Sequence, residues 1–92
     1  MRIAIVGSRD YPDLDAVRRY VESLPPYTTV VSGGASGVDQ AATTAARLRA
    51  LGTETIFPDW EKYGRGAGLV RNKEIVFAVD RVVAFWDGKS RG

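Results

Sequence analysis

The sequence predicts a single α/β domain: a parallel sheet of about four strands with helices on both faces. Two observations carry this. Short apolar runs alternate with helix-patterned segments from one end of the chain to the other. Each apolar run is also followed by a turn rich in glycine, aromatic or basic residues, while the turns that lead into the runs are plain. With 92 residues, 45% of them hydrophobic and 26% charged, the chain has room for one globular domain with a thin core.

The elements follow in order. Ile3 to Val6 is a short apolar run stopped by Gly7, the pattern of a buried strand. Asp13 is placed to cap a helix whose inner face carries Leu14, Val17, Val21 and Leu24, and Pro25-Pro26 ends it. Thr28 to Val31 reads as the second strand. The second helix is expected from about Gly37 to Leu51, with Val38, Ala41, Ala42, Ala45 and Leu48 inward and Gly52 as its terminator. Thr55 to Phe57 reads as a third strand stopped by Pro58, and Asp59 to Gly68 as a loop. Leu69 to Val79 is a third helix, Arg81 to Phe85 a fourth strand buried on both faces, and Trp86 to Gly92 a polar tail.

Composition excludes several classes. There is no cysteine and no histidine, which removes disulfides, thiolate nucleophiles, histidine bases and most zinc sites. No metal or resident cofactor is expected. No apolar run approaches a membrane span and no secretory leader is visible, so the expected location is cytoplasmic, without membrane partners. A net charge of +2, from 13 basic and 11 acidic residues, is too balanced for a general nucleic-acid binder.

In a parallel sheet, ligands bind beyond the carboxyl ends of the strands. The turns at that edge hold Gly7, Ser8, Arg9 and Tyr11, then Ser32 to Gly37, then Trp60 and Tyr63, then Trp86 to Arg91. Gly33, Gly34 and Gly37 lie between a strand and a helix, where glycines allow a sharp turn and a close ligand approach to main-chain N–H groups. The helix N-terminus adds partial positive charge, so Gly33, Gly34, Ala35, Gly37 and Val38 form a candidate anion site, unless the segment is only a tight turn. The spacing is neither a Walker loop nor G-x-G-x-x-G. Ser36 and Asp39 match a helix capping box, which alone would explain both; if Asp39 meets a ligand, a ribose hydroxyl suits it better than phosphate. Arg71, in the expected first turn of the third helix, opposes the helix dipole there but suits an anion clamp; a solvated arginine is the alternative. Four basic residues and no acidic one lie from Lys62 to Lys73. Tyr11, Trp60, Tyr63 and Trp86 either stack a base or seal loops against the sheet.

"VGSRDY", "VVSGGASGVDQAA", "FPDWEKYGRGAGLVRNKEIV" and "VDRVVAFWDGKSRG" together resemble the YspA-like branch of the SLOG superfamily, the group that includes DprA (Smf) and the LOG phosphoribohydrolases. The resemblance covers nearly the whole chain, with the motifs in register. It implies a Rossmann-like three-layer sandwich that binds nucleotides or nucleotide-derived ligands. By this likeness the ligand-binding set is Gly7, Ser8, Arg9, Ser32, Gly33, Gly34, Ala35, Gly37, Val38, Asp39, Arg71, Asn72, Gly88, Ser90 and Arg91. "RNKEI" is similar to the Arg-Asn segment of DprA and the Arg-Lys segment of LOG enzymes. "DGKSRG" sits where LOG enzymes carry Pro-Gly-Gly-x-Gly-Thr, but begins Asp87-Gly88. The family pattern continues past this point with a helix and a strand, and the LOG catalytic glutamate lies on that helix.

The resemblance therefore implies binding rather than catalysis: a nucleotide-type ligand-binding or sensor domain. N-glycosidic hydrolysis of a nucleoside monophosphate is the enzymatic alternative, with Asp39 as its candidate carboxylate. Single-stranded DNA binding, by analogy with DprA, is the third, and the modest charge counts against it. Without the final helix and strand, the Val82 to Trp86 strand and the third helix leave apolar surface open, and the chain is expected to self-associate there.

Overall fold

The computed structural model describes residues 1–7, 10–34 and 37–85. Strands β1 (Arg2–Gly7), β2 (Thr29–Ser32), β3 (Gly52–Thr55) and β4 (Arg81–Phe85) form one parallel sheet in the order β3-β2-β1-β4. Helices α1 (Leu14–Glu22), α2 (Val38–Leu48), α3 (Trp60–Tyr63) and α4 (Ala67–Ala78) connect them, with a 3₁₀ turn at Gly64–Gly66 before α4. This is the Rossmann-like α/β sandwich the alternation predicts. The chain reverses direction across the sheet between β1 and β4, which sets the topological switch there.

Strand alternation divides the core in two. Ile3, Ile5 and Val30 point to one face, where Val17 and Val21 of α1 and Val38, Ala42, Ala45 and Ala46 of α2 cover them. Ala4 and Val31 point to the other, where Ile75 of α4 is their buried partner. The second core is much the smaller. Val82 lies beside Ala4 in the parallel register, so it shares that thinly covered face. Val82 is 44% exposed, and Leu69, Val76 and Phe77 of α4 are exposed as well.

Asp13 caps α1 as expected, its carboxylate accepting the Ala16 N–H at 3.1 Å. The other end of α1 is held from outside: Arg49 donates to the Val21, Glu22 and Leu24 carbonyls.

Four expectations change. The helix from Gly37 to Leu51 is shorter, and Ala50, at φ 57°, takes the left-handed position expected of Gly52. Leu51 then turns inward while Leu48 is exposed, because Leu48 lies on the flank of the helix with Ala41 and Thr44 rather than on the buried stripe of Val38, Ala42 and Ala45. Gly52 instead begins β3, which pairs Gly52–Thr55 with Thr29–Ser32 and ends before Phe57. The loop from Asp59 contains α3, whose cap is Asp59 accepting the Lys62 N–H, and α4 begins at Ala67 rather than Leu69. β4 spans the expected residues but is an edge strand, so Val82 and Ala84 are exposed rather than buried.

The amino edge of the sheet is tied by Arg2. Its main-chain N–H donates to Asp80 at 2.8 Å, its Nε to the Ala78 carbonyl at 2.6 Å, and its guanidinium pairs with Glu54 at 2.5 Å. No helix of the described residues is long and apolar enough to cross a membrane.

Candidate functional site

The carboxyl edge is built around one residue. Gly33, directly after β2, is buried, with its N–H donating to Asp39 Oδ2 at 3.1 Å and its carbonyl accepting from Arg71 Nη1 at 2.5 Å. Asp39 comes from the first turn of α2 and Arg71 from α4, so two helices on opposite faces of the sheet close on the same residue. A side chain added at Gly33 would displace the Arg71 guanidinium, which its Cβ would overlap, and would lie 3.1 Å from Asp39 Oδ2. Arg71 is further oriented by its Nε, which donates to Asn72 Oδ1 at 2.9 Å.

Arg71 is therefore not in a first helical turn. With α4 beginning at Ala67, it sits in the second turn, and its long side chain reaches over the sheet edge to the glycine loop. The helix dipole falls off within the first turn, so it has little hold on this charge.

Gly34 has φ 77°, a conformation that disfavours any side chain, and a Cβ there would lie 2.6 Å from Phe57 Cε1 and 3.0 Å from Thr55 Cγ2. The N-cap of α2 is Gly37, also at φ 77°, one residue later than the capping-box pattern places it. The Asp39 carboxylate accepts the Gly33 N–H, a bond that braces the end of β2. Gly37 makes no side-chain cap, and the first N–H groups of α2 face the loop with the positive end of the helix dipole behind them.

The remaining expected residues divide. Ser32 is buried, and its hydroxyl pairs with Thr43 Oγ1 at 3.2 Å under α2. Val38 is also buried, so only its main chain can serve a ligand. Gly7 is a packing position: a Cβ would overlap the Phe85 carbonyl and lie 2.8 Å from Val38 Cγ2. Tyr11 meets Phe85 edge to face, with ring centres 5.7 Å apart, and so belongs to the packing at the end of β4. Trp60 and Tyr63 are exposed on α3, with Lys62 Nζ 5.2 Å from the Tyr63 ring centre. Ser8, Arg9, Ala35, Ser36, Trp86, Gly88, Ser90 and Arg91 lie outside the described residues.

One residue at this edge escaped the sequence reading. Phe57 was expected inside a strand, yet it follows β3 and is 70% exposed, with its ring against Gly34. The signal available was Pro58, which ends pairing at the preceding residue and leaves Phe57 at the rim. A cavity of about 340 Å³ runs between α1 and α2, lined by Leu14, Arg18, Gln40, Ala41 and Leu48. It meets the glycine loop only at Gly37, so it is a groove between helices rather than the centre of the site.

A parallel α/β domain with a buried-glycine turn after β2 and an arginine reaching across the sheet edge defines a Rossmann-like class. The particular family follows from sequence comparison: residues 1–63 match the YspA, cpYpsA-related SLOG family, and the chain belongs to it. The chain is also similar to the Gene 61 protein of Mycobacterium phage D29, 38% identical over 101 aligned residues that take in 99% of this chain and 81% of that protein. No solved structure gives a significant match.

Proposed function

We propose that the protein binds a nucleotide, or a phosphorylated ligand derived from one, at the carboxyl edge of the sheet, as a sensor or ligand-binding domain. The observation that carries this reading is the convergence on Gly33 and Gly34. The N-terminus of α2 offers main-chain donors, and Arg71 brings a guanidinium to the same turn from the opposite face. The N–H of Gly33 is already spent on Asp39, so the phosphate donors are those that follow it in the loop and first turn. That bond also favours binding over N-glycosidic hydrolysis, since one oxygen of the candidate carboxylate is engaged in holding the loop. Native mass spectrometry of freshly purified protein, followed by calorimetry with nucleoside monophosphates, tests the reading; a protein that retains no nucleotide and gives no heat with any of them overturns it.

Arg71→Ala should weaken nucleotide binding by about 1.5–3 kcal/mol, the usual value of a charge-assisted hydrogen bond. The sequence alone suggests that melting temperature holds or rises. The Gly33 carbonyl changes that: its loss of a charged donor should lower the melting temperature by a few degrees. Arg71→Lys should regain part of the stability and less of the affinity, because an ammonium lacks the planar fork. Normal binding in a destabilised Arg71→Ala protein would make the arginine a brace for the loop alone.

The same reading includes self-association through the open face. Among the described residues β4 is paired on one edge, Val82 and Ala84 on it are exposed, and so are Leu69, Val76 and Phe77 of α4. A two-fold pairing of β4 with its copy would cover both an unpaired strand edge and this apolar strip. Light scattering at micromolar concentration should show a dimer that Phe77→Ser weakens. A monomer at that concentration would show that the strip stays solvated.

A further inference from the structure

The geometry points to Phe57 as the stacking platform for the base of the bound ligand, which makes that ligand a nucleotide rather than a sugar phosphate. The inference rests on the binding reading above and sharpens it. Its starting point is an apparent misplacement: a phenylalanine 70% exposed at a sheet edge, in a domain with little apolar surface to spare. The ring is not loose. Ile56 donates its N–H to the Ser32 carbonyl at 2.9 Å and packs beside Ala4, Val31 and Ile75 on the α4 face. Strand alternation then turns the next side chain to the opposite face, and Pro58 restricts Phe57 to extended backbone.

The ring lies beside Gly34, with Cε1 and Cδ1 2.6 and 2.8 Å from the position a Cβ would take there. The rest of the ring is open. A residue held in this way loses little entropy when something stacks on it. It adjoins Gly34 in the turn that leads to α2, so a phosphate at the start of α2 and a base on Phe57 fit one molecule. Of the expected stacking residues, Tyr11 is engaged with Phe85, and Trp60 and Tyr63 are one helix farther along the chain. Stacking is tolerant of which base is present, since each has a π face.

The test is calorimetric titration of the wild type and Phe57→Ala with AMP, GMP, ribose 5-phosphate and inorganic phosphate. Stacking loss should weaken AMP and GMP binding by about five- to a hundredfold. Ribose 5-phosphate and inorganic phosphate should bind both proteins alike, and Phe57→Trp should keep nucleotide affinity. Melting temperature should be unchanged in Phe57→Ala, since an exposed ring contributes little to stability. Wild-type AMP and GMP affinity in Phe57→Ala overturns the platform while leaving the binding reading intact, and so does equal wild-type affinity for ribose 5-phosphate and AMP. A wild type that binds neither AMP nor GMP overturns the reading and the platform together.

Discussion

Gly7→Val is expected to destabilise the domain by at least about 3 kcal/mol, a severe case of overpacking. The new side chain would enter the space between β1 and β4, overlapping the Phe85 carbonyl and crowding Val38. Neither can yield cheaply. Phe85 is held in register opposite Gly7, and Val38 is wholly buried at the start of α2. A domain of this size has roughly 5–15 kcal/mol of total stability, so one such change removes much of it. Urea unfolding followed by circular dichroism measures the loss, and an unchanged midpoint would show that β4 can withdraw at no cost. The sequence offered Gly7 as a place where a ligand approaches the backbone; in the structure its first role is to let two strands and a helix meet.

The second large effect is expected on binding. Gly34→Val should abolish measurable nucleotide affinity, because a branched side chain at φ 77° is strained and would press on Phe57 and Thr55 at the mouth of the anion loop. The strain itself costs about 1–2 kcal/mol of stability. Gly34→Ala carries most of that strain and already brings a Cβ against Phe57 and Thr55, so comparing the two variants isolates what the branched bulk adds. If Gly34→Ala binds AMP normally while Gly34→Val does not, occlusion is responsible; if both bind normally, the loop is a turn and not a site.

These two glycines show what the sequence could convey. The order of elements, the Asp13 cap and the limits of β4 were legible because periodicity and capping are local. The clustering of glycines at one edge was legible too, since topology follows from the alternation. β3 was misplaced by three residues because its register is set by β2, a partner far away in the chain. Local propensity favours Thr-Ile-Phe and has no knowledge of which backbone lies alongside. The clamp on Gly33 was hidden for the same reason. Asp39 explained itself as part of a capping box, and nothing near Arg71 in sequence announces that its guanidinium ends on a carbonyl 38 residues earlier.

The strand order bears on how the chain is made. β1 lies inside the sheet, between β2 and β4, yet it is the first element synthesised and β4 the last of the described ones. Its outer ladder, from Ile3 opposite Arg81 to Gly7 opposite Phe85, cannot close until residue 85 has left the ribosome. Until then an apolar strand waits with one edge bare, and long loops must close before contacts reward them, which slows folding. A nascent chain of this kind is most exposed to misassociation during its own translation. A chaperone that covers residues 2–7 in that interval would do more for its yield than one acting on the finished chain.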